Sequence, residues 1–591
     1  MKRSSVAVSL SVAMLVIAAC STQQEQQPEN PPPSRPMAQV ESALPEAADE
    51  MSDQAATAAV AIRSKHERKE ADLAQGAGHA NGAVSKLMAM EAPAAAPPSA
   101  YCCFQPQPLP QDTEKYGRID SNPVQRVAEN PVSTFSIDVD TGSYANVRRF
   151  LKEGRLPPSD AVRVEELINY FDYAYAPPRD AGTPFSVSTE IAAAPWNAKT
   201  QLLRVGIQGW KPQGPRKASN LVFLVDVSGS MNEPNKLPLV KSSLKLLTRQ
   251  LSHDDRISLV VYAGNSGVVL EPTPGDQGAK IESALDRLEA GGSTNGGEGI
   301  LSAYAMAQQA FIKGGNNRVL LATDGDFNVG VTRFESLLDL VKDQRKGGIA
   351  LTTLGFGTGN YNDNLMEQLA DAGDGNYAYV DSLTEAQKVL VDQRDATLTT
   401  IARDVKIQIE FNPAVVSDYR LIGYENRMLK REDFNNDKVD AGDIGAGHTV
   451  TALYEIALAG SGGARVEPLR YGKLESGLEI RDGELAWVRL RYKAPQEGFE
   501  SASKLIGRPV YSRAIESPER MSDSFRLAAA VAAFGQLLRG GKYTEGFHYT
   551  DVEKLARGAR GDDRNGYAGE FLQLVKLADS LSAQQARSGE N

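Results

Sequence analysis

Residues 221–233 read LVFLVDVSGSMNE. The five consecutive apolar residues at its start predict a strand that is buried on both faces, as in a parallel sheet covered by helices. The strand leads directly into Asp226, Ser228 and Ser230, which are separated from one another by single residues. Doubly wound sheets bind their ligands beyond the carboxyl ends of the strands. The stretch therefore predicts a central buried strand with an oxygen-rich site at its end.

The surrounding segment, from 219 to about 395, alternates strand-like and helix-like patterns. RVLLAT (318–323) is a second continuous apolar run, and the patterns over 236–251 and 299–311 are typical of helices. GVVLEP (267–272) reads as an edge strand. Continuous apolar strands between helices indicate a parallel sheet covered on both faces. We therefore predict an α/β fold with a doubly wound, mostly parallel sheet.

Two more oxygen-bearing side chains follow other elements of this sheet. Asp324 follows RVLLAT, and Thr294 lies in the loop GGSTNGG (291–297), just before a helix. If the strands ending at Asp226 and Asp324 are neighbours, five oxygen ligands converge on one point. Hydroxyls and carboxylates without nitrogen or sulfur suit a hard cation, Mg²⁺ or Mn²⁺ or, less tightly, Ca²⁺.

This pattern resembles the metal-ion-dependent adhesion site (MIDAS) of von Willebrand factor type A (VWA) domains over about 175 residues. The resemblance implies that Ser228, Ser230 and Thr294 supply hydroxyls. It implies that Asp226 and Asp324 hold the metal directly or through water. A carboxylate from a partner protein then takes the remaining coordination position.

Two local alternatives accompany the metal interpretation. DVSGS (226–230) also fits a strand exit with polar capping residues and no bound ion. Glu298 follows Thr294 closely, so it is either an internal ligand that closes the site or a capping-box partner of Asn295.

The first twenty residues are predicted to be a lipoprotein signal peptide. Lys2 and Arg3 precede an apolar stretch over 6–19, which is too short to span a bilayer. The end of this segment, Ile-Ala-Ala-Cys20, resembles a bacterial lipobox. The resemblance implies cleavage before Cys20 and its lipidation, and Ser21 after it implies the periplasmic face of the outer membrane. An ordinary secretory signal is the alternative.

The rest of the chain divides into three further regions around the VWA-like segment at 213–398. Residues 21–114 lack core periodicity and are predicted to form a disordered tether. Residues 115–212 contain helices and two strands, whereas 399–591 alternate as antiparallel strands before ending in helices. Two strands alone are marginal in water, so we predict that they pair with the later strands and that the VWA domain is an insertion. A string of independent domains is the alternative. The flanks loosely resemble a group of bacterial A-domain lipoproteins.

An acidic loop in the last region is a second candidate cation site. Asp433, Asn435 and Asp437 match the start of an EF-hand loop. Lys438 and Ile444 stand where that loop needs Gly and Glu. The favoured interpretation is a solvated acidic loop, and a second calcium site is the alternative.

These observations favour a binding protein of the cell envelope. The net charge of −11 argues against nucleic acid as a partner. Neither GxSxG nor HExxH occurs, and no catalytic constellation is found in the sequence. We therefore expect an adhesion or scaffold protein that binds an acidic side chain of a partner protein through the cation. A metal-dependent envelope hydrolase that uses the same cation is the alternative.

The lipid anchor can be tested directly. Cys20→Ser removes the sulfur that the lipid would modify, so the protein should move from the detergent phase to the aqueous phase in a phase-partition experiment. Cys102→Ser, which leaves the anchor intact, should stay in the detergent phase. Unchanged partitioning of Cys20→Ser would contradict the anchor.

Overall fold

The structure is a computed structural model, which describes most of the chain from Thr113 onward. The described residues are 113–179, 182–264, 266–294, 296–325, 334–470, 483–498, 500–517, 520–544 and 546–589. The predicted signal peptide, Cys20 and nearly all of the predicted tether lie outside these residues.

Seventeen strands and twelve α-helices make up the described part of the chain. The strands are β1 (Gln125–Arg126), β2 (Val132–Ser136), β3 (Phe185–Ala194), β4 (Asn197–Gly209), β5 (Ser219–Asp226), β6 (Arg256–Tyr262), β7 (Ser266–Pro274), β8 (Asn316–Thr323), β9 (Ala350–Gly355), β10 (Tyr377–Tyr379), β11 (Thr400–Phe411), β12 (Val416–Ile422), β13 (Ile444–Gly445), β14 (Thr449–Leu458), β15 (Glu484–Lys493), β16 (Lys504–Tyr511) and β17 (Ile515–Glu516). The helices are α1 (Gly142–Lys152), α2 (Val164–Asn169), α3 (Leu237–Thr248), α4 (Gly278–Asp286), α5 (Gly296–Gln309), α6 (Phe334–Lys346), α7 (Asp363–Ala372), α8 (Leu383–Gln387), α9 (Arg394–Leu398), α10 (Asp523–Leu538), α11 (Tyr549–Arg557) and α12 (Tyr567–Gly589).

The segment from β5 to α9, called the α/β domain below, is built on a six-stranded sheet. Its strand order is β10-β9-β8-β5-β6-β7, and all neighbours are parallel except β7, which is antiparallel to β6. All eight residues of β5 are buried. Leu221, Phe223 and Val225 pack under α3 and α4 on one face, whereas Val222 and Leu224 pack under α5, α6 and α7 on the other. The predicted doubly wound α/β fold is thus confirmed, with β7 at the edge.

The flanking strands form a β-sandwich. One sheet has the order β1-β12-β14-β4-β3-β17, and the other contains β13-β11-β15-β16 with β2 also paired to β11. Strand β4, before the α/β domain, pairs antiparallel with β14, after it, with Ile207 opposite Val450. The inner faces of the two sheets share one apolar core, which includes Leu203, Ile409 and Leu490. The α/β domain therefore lies in the chain between strands of a single sheet.

The last helices cover the outer face of the β4-containing sheet. In α10, eleven of sixteen residues are buried, and this helix packs against α2 and α11. Its Phe534 ring also packs on Phe571 of α12, with ring centroids 5.3 Å apart. Its core cluster contains Leu202 of β4 and Leu453 of β14. In the part of the chain described here, no helix has the length and apolar character needed to cross a membrane. The shared core with β4 and β14 shows that these helices pack on the sandwich.

Buried ion clusters join the sandwich region to the α/β domain. Arg163, just before α2, lies 3.1 Å from Glu166, 2.8 Å from Glu367 on α7, and also pairs with Asp363 on α7. All four side chains are at least nine-tenths buried. Nearby, Arg148 of α1 pairs with acidic side chains on both sides of the same junction. Removing one partner of a buried ion pair leaves an uncompensated charge, so these clusters fix the junction.

The Arg163 cluster gives a stability prediction. Arg163→Met leaves the buried Glu166 and Asp363 carboxylates without this cation and leaves Glu367 paired with Arg427. We expect the free energy of unfolding to fall by about 3–5 kcal/mol. Arg118→Met is the matched control, because the Arg118 side chain is 81% exposed. Its effect should stay within about 0.5 kcal/mol. Urea unfolding followed by circular dichroism measures both, and equal midpoints for the two variants would contradict a structural role for the cluster.

Candidate metal centre

The carboxyl end of β5 brings three of the sequence-predicted ligands together. The Ser228 backbone N–H donates a 2.8 Å hydrogen bond to Asp226 Oδ1, which folds the chain back at the end of the strand. Ser228 is followed by a short 3₁₀ helix, Gly229–Asn232, that contains Ser230. The two serine hydroxyl oxygens lie 3.1 Å apart. The chain therefore turns after Asp226, and this turn places the Ser228 and Ser230 hydroxyls side by side.

The glycine-rich loop that carries Thr294 packs on this turn through its backbone. Gly229 N–H donates to Gly292 O at 3.1 Å, and Gly291 N–H donates to Val227 O at 2.7 Å. Gly292 has a φ of +85°, a left-handed conformation that glycine adopts without strain. Thr294 follows two residues later and is half-buried. The backbone contacts therefore pack the loop that carries Thr294 against the turn that carries the serine pair. The role of Thr294 as a ligand stays a prediction.

Asp324 reaches the site from the neighbouring strand. Strands β5 and β8 are parallel partners, with Val225 opposite Ala322. The Thr323 hydroxyl donates a 3.0 Å hydrogen bond to Asp226 Oδ2 and accepts a 3.2 Å bond from Gly325 N–H. Asp226 and Asp324 are both completely buried. The two predicted carboxylate ligands thus lie next to each other at one edge of the sheet.

Burial sets the electrostatics of this carboxylate pair. Burial raises the pKa of Asp226 to about 6, and the nearby charge of Asp324 adds to the increase. Hydrogen bonds from Ser228 and Thr323 oppose it. The charged form of a buried carboxylate is costly unless a cation compensates it. A cation beside Asp226 and Asp324 would therefore lower the electrostatic cost of burying their charged forms.

The donor set fits a hard divalent cation. It contains two carboxylates and three hydroxyls, the oxygen ligands that Mg²⁺ and Ca²⁺ prefer. Two adjacent ligands of an octahedral Mg²⁺ lie about 3 Å apart, because each is about 2 Å from the ion. The 3.1 Å separation of the Ser228 and Ser230 hydroxyls matches that spacing. Within the described residues, no cluster of three or more His, Cys, Asp or Glu side chains is placed to hold a metal.

Sequence reasoning missed three residues of this site. Thr323 is the residue just before Asp324, and its hydroxyl was not recognised as a donor to Asp226. Lys236, read only as the start of a helix, places its ammonium 3.0 Å from Asp324 Oδ2. Asn360 lies 3.4 Å from the same oxygen. No local pattern signals Lys236 or Asn360, because both reach Asp324 from distant loops.

The structure shows where Glu298 lies, the residue for which the sequence left two roles open. Glu298 lies exposed in the first turn of α5, and its suggested capping partner Asn295 lies outside the described residues. The N-terminal turn of the helix is the position that favours an acidic residue.

The second predicted cation loop uses its oxygens in hydrogen bonds within the sandwich. Asp433 accepts a 3.2 Å bond from the backbone N–H at the start of its own 3₁₀ helix. Asn435 Oδ1 accepts from Arg491 at 2.9 Å, and Asp437 Oδ2 accepts from Ser503 N–H at 3.2 Å. The three side chains thus have three different partners. Calcium binding by this loop stays a prediction.

Comparison with protein families places the fold in a known class. The family model for the von Willebrand factor type A domain matches residues 220–393. A model described as von Willebrand factor matches residues 110–204, and one described as "Uncharacterized protein YfbK, C-terminal" matches residues 396–581. The sheet topology and these matches together define a VWA-domain protein.

The particular family follows from one relative. The chain is 49% identical over 480 residues to "Uncharacterized protein YfbK" of Escherichia coli K12, covering 80% of this chain and 82% of the relative. The chain therefore belongs to the YfbK family. It is also 26% identical over 268 residues to human inter-alpha-trypsin inhibitor heavy chain H3, covering 42% of this chain and 29% of the relative.

A solved structure titled von Willebrand factor type A from Catenulispora acidiphila is 16% identical to this chain. It matches 66% of this chain and 89% of its own, with a TM-score of 0.37.

The Thr323 hydroxyl gives a prediction for the architecture of the site. Thr323→Val leaves Asp226 Oδ2 and the Gly325 N–H without this partner, and we expect the free energy of unfolding to fall by about 1–3 kcal/mol in metal-free buffer. Thr323→Ser keeps the hydroxyl and should retain most of the stability. Urea unfolding in the presence of a chelator compares the two, and a Thr323→Val variant that is as stable as the wild type would contradict the role of these hydrogen bonds.

Proposed function

We propose that this protein binds a partner protein on the cell envelope through a divalent cation in its VWA domain. Mg²⁺ is the expected ion, with Mn²⁺ or Ca²⁺ as substitutes. Asp226, Ser228, Ser230, Thr294 and Asp324 would hold it, and an acidic side chain of the partner would complete the coordination. The observation that carries the proposal is the meeting of two buried carboxylates and the serine pair at the carboxyl edge of the sheet.

The exposure of the loops supports binding rather than an internal structural role. Asp226 and Asp324 form the buried base of the site. Gly229, Gly291, Gly292 and Ser293 lie exposed around it. An ion resting on the carboxylates is therefore approached from solvent through small residues, which leave room for a side chain from another protein. The cation itself would supply a Lewis-acidic position for a carboxylate ligand.

The family class supports the same conclusion. VWA domains mediate protein interactions and adhesion, and the chain matches the VWA family model over 220–393.

The proposed setting is the periplasmic face of the outer membrane, with Cys20 as the lipid attachment point. The support for this part is the Ile-Ala-Ala-Cys20 sequence. The partner is expected to present a Glu or Asp side chain on a convex surface that fits between the loops.

The metal assignment is tested by calorimetric titration of Mg²⁺ into the purified protein. Asp226→Ala removes a buried carboxylate from the site, and we expect Mg²⁺ affinity to fall by at least about tenfold, because a charged ligand is lost. Asp286→Ala removes an exposed acidic residue of the same domain, on α4, and should bind like the wild type. Equal affinities in all three proteins would refute the site.

Partner binding is tested separately. Cross-linking in envelope extracts with Mg²⁺ should capture a partner with the wild type and lose it with Asp226→Ala or with a chelator. Circular dichroism establishes that the variant is folded. Capture that is independent of both the metal and Asp226 would contradict metal-mediated recognition.

A further inference from the structure

Lys236 places a buried positive charge at the edge of the candidate metal centre. Its side chain is 4% exposed, and its ammonium lies 3.0 Å from Asp324 Oδ2. The same ammonium is 3.4 Å from Asn360 Oδ1, and the Asn360 amide is 3.4 Å from Asp324 Oδ2. A lysine ammonium is costly to bury, so its position beside a metal-ligand carboxylate calls for a functional reason.

The surrounding chain is shaped to hold this lysine. Gly357 has a φ of +75°, and a Cβ there would lie 2.4 Å from the Lys236 side-chain carbons Cγ and Cε. The Tyr379 hydroxyl donates a 2.6 Å hydrogen bond to Gly357 O, which fixes that glycine against the lysine stem. The Lys236 backbone N–H in turn donates to Glu233 O at 3.0 Å. A residue with a Cβ at position 357 would clash with the Lys236 side chain. Gly357 therefore leaves the space in which the lysine packs.

The charge count of the site depends on Lys236. Asp226 and Asp324 contribute two negative charges, and Lys236 reduces the sum to one negative charge. A bound divalent cation then makes the site positive by one unit, and a carboxylate from a partner brings it to zero. Without Lys236, the metal-loaded site is neutral, and an incoming carboxylate leaves an unbalanced negative charge in a largely buried place.

We infer that Lys236 determines the ligand specificity of the site by keeping the metal-loaded form cationic, so that an anionic group is its complement. This inference rests on the proposed function. It assigns Lys236 two opposite effects: it weakens binding of the cation by repulsion, and it strengthens binding of a carboxylate by attraction. A merely structural lysine has no such paired effect, because loss of packing weakens both.

The test uses the full chain with Lys236→Met, which keeps the length of the side chain and removes the charge. Lys236→Gln is the second variant, in case the thioether packs poorly. Lys241→Met is the matched control, since Lys241 lies within α3 and its ammonium contacts the backbone oxygen of Asp286. Mg²⁺ affinity is measured by calorimetry in three solutions of equal ionic strength: plain buffer, buffer with acetate and buffer with acetamide. Acetate is the anionic probe, and acetamide is its neutral counterpart.

We expect Lys236→Met and Lys236→Gln to bind Mg²⁺ about tenfold more tightly than the wild type in plain buffer. Acetate, but not acetamide, should tighten Mg²⁺ binding to the wild type, because a ligand of the loaded form shifts the metal equilibrium toward it. That acetate effect should disappear in both variants and persist in Lys241→Met.

The outcomes separate the inference from the proposed function. If the wild type binds Mg²⁺ and the Lys236 variants bind it no more tightly, the role of Lys236 is overturned and the proposed metal site is not. An acetate effect that survives in the variants also overturns it. Wild type that does not bind Mg²⁺ at all overturns the proposed function and this inference together.

Discussion

The parallel pairing of β5 with β8 is the constraint on which the rest of the molecule depends. Parallel strands end at the same edge of a sheet, so this pairing sets Asp226 and Asp324 side by side in a fully buried position. Two adjacent carboxylates repel each other and lose hydration. The surrounding residues supply the compensation as hydroxyl hydrogen bonds on Asp226 and the Lys236 ammonium on Asp324. Helices pack their apolar faces on both sides of the sheet and hold this arrangement in place.

The insertion of the α/β domain places both of its chain connections at one edge of its sheet. The chain enters from β4 through residues 210–218 and leaves through Thr399. The Asn316 amide, at the start of β8, donates a 3.1 Å hydrogen bond to the Thr399 hydroxyl. Both connections to the sandwich are therefore at the amino ends of the strands. The carboxyl edge, with the candidate metal centre, is left free of them.

The junction between the two parts is held by charge as well as by chain connectivity. The Arg163 and Arg148 side chains each form ion pairs with acidic side chains of the α/β domain. Both arginine side chains are almost completely buried. Buried ion pairs contribute little net stability relative to apolar packing, yet they tolerate no loss of a partner. They therefore favour one orientation of the inserted domain.

The sequence by itself determined the buried strand, the alternating oxygen-bearing residues after it and the α/β class, because burial and side-chain alternation leave local patterns. It also pointed to Asp324 at the end of a strand and to Thr294 in a glycine-rich loop before a helix. The tertiary structure alone decided that Thr323 bonds Asp226 across 97 residues and that Lys236 pairs with Asp324 across 88. The same holds for the register that sets Ile207 opposite Val450. Such contacts depend on how distant segments pack, and a residue such as Lys236 has the same local pattern whether its ammonium faces water or a buried carboxylate.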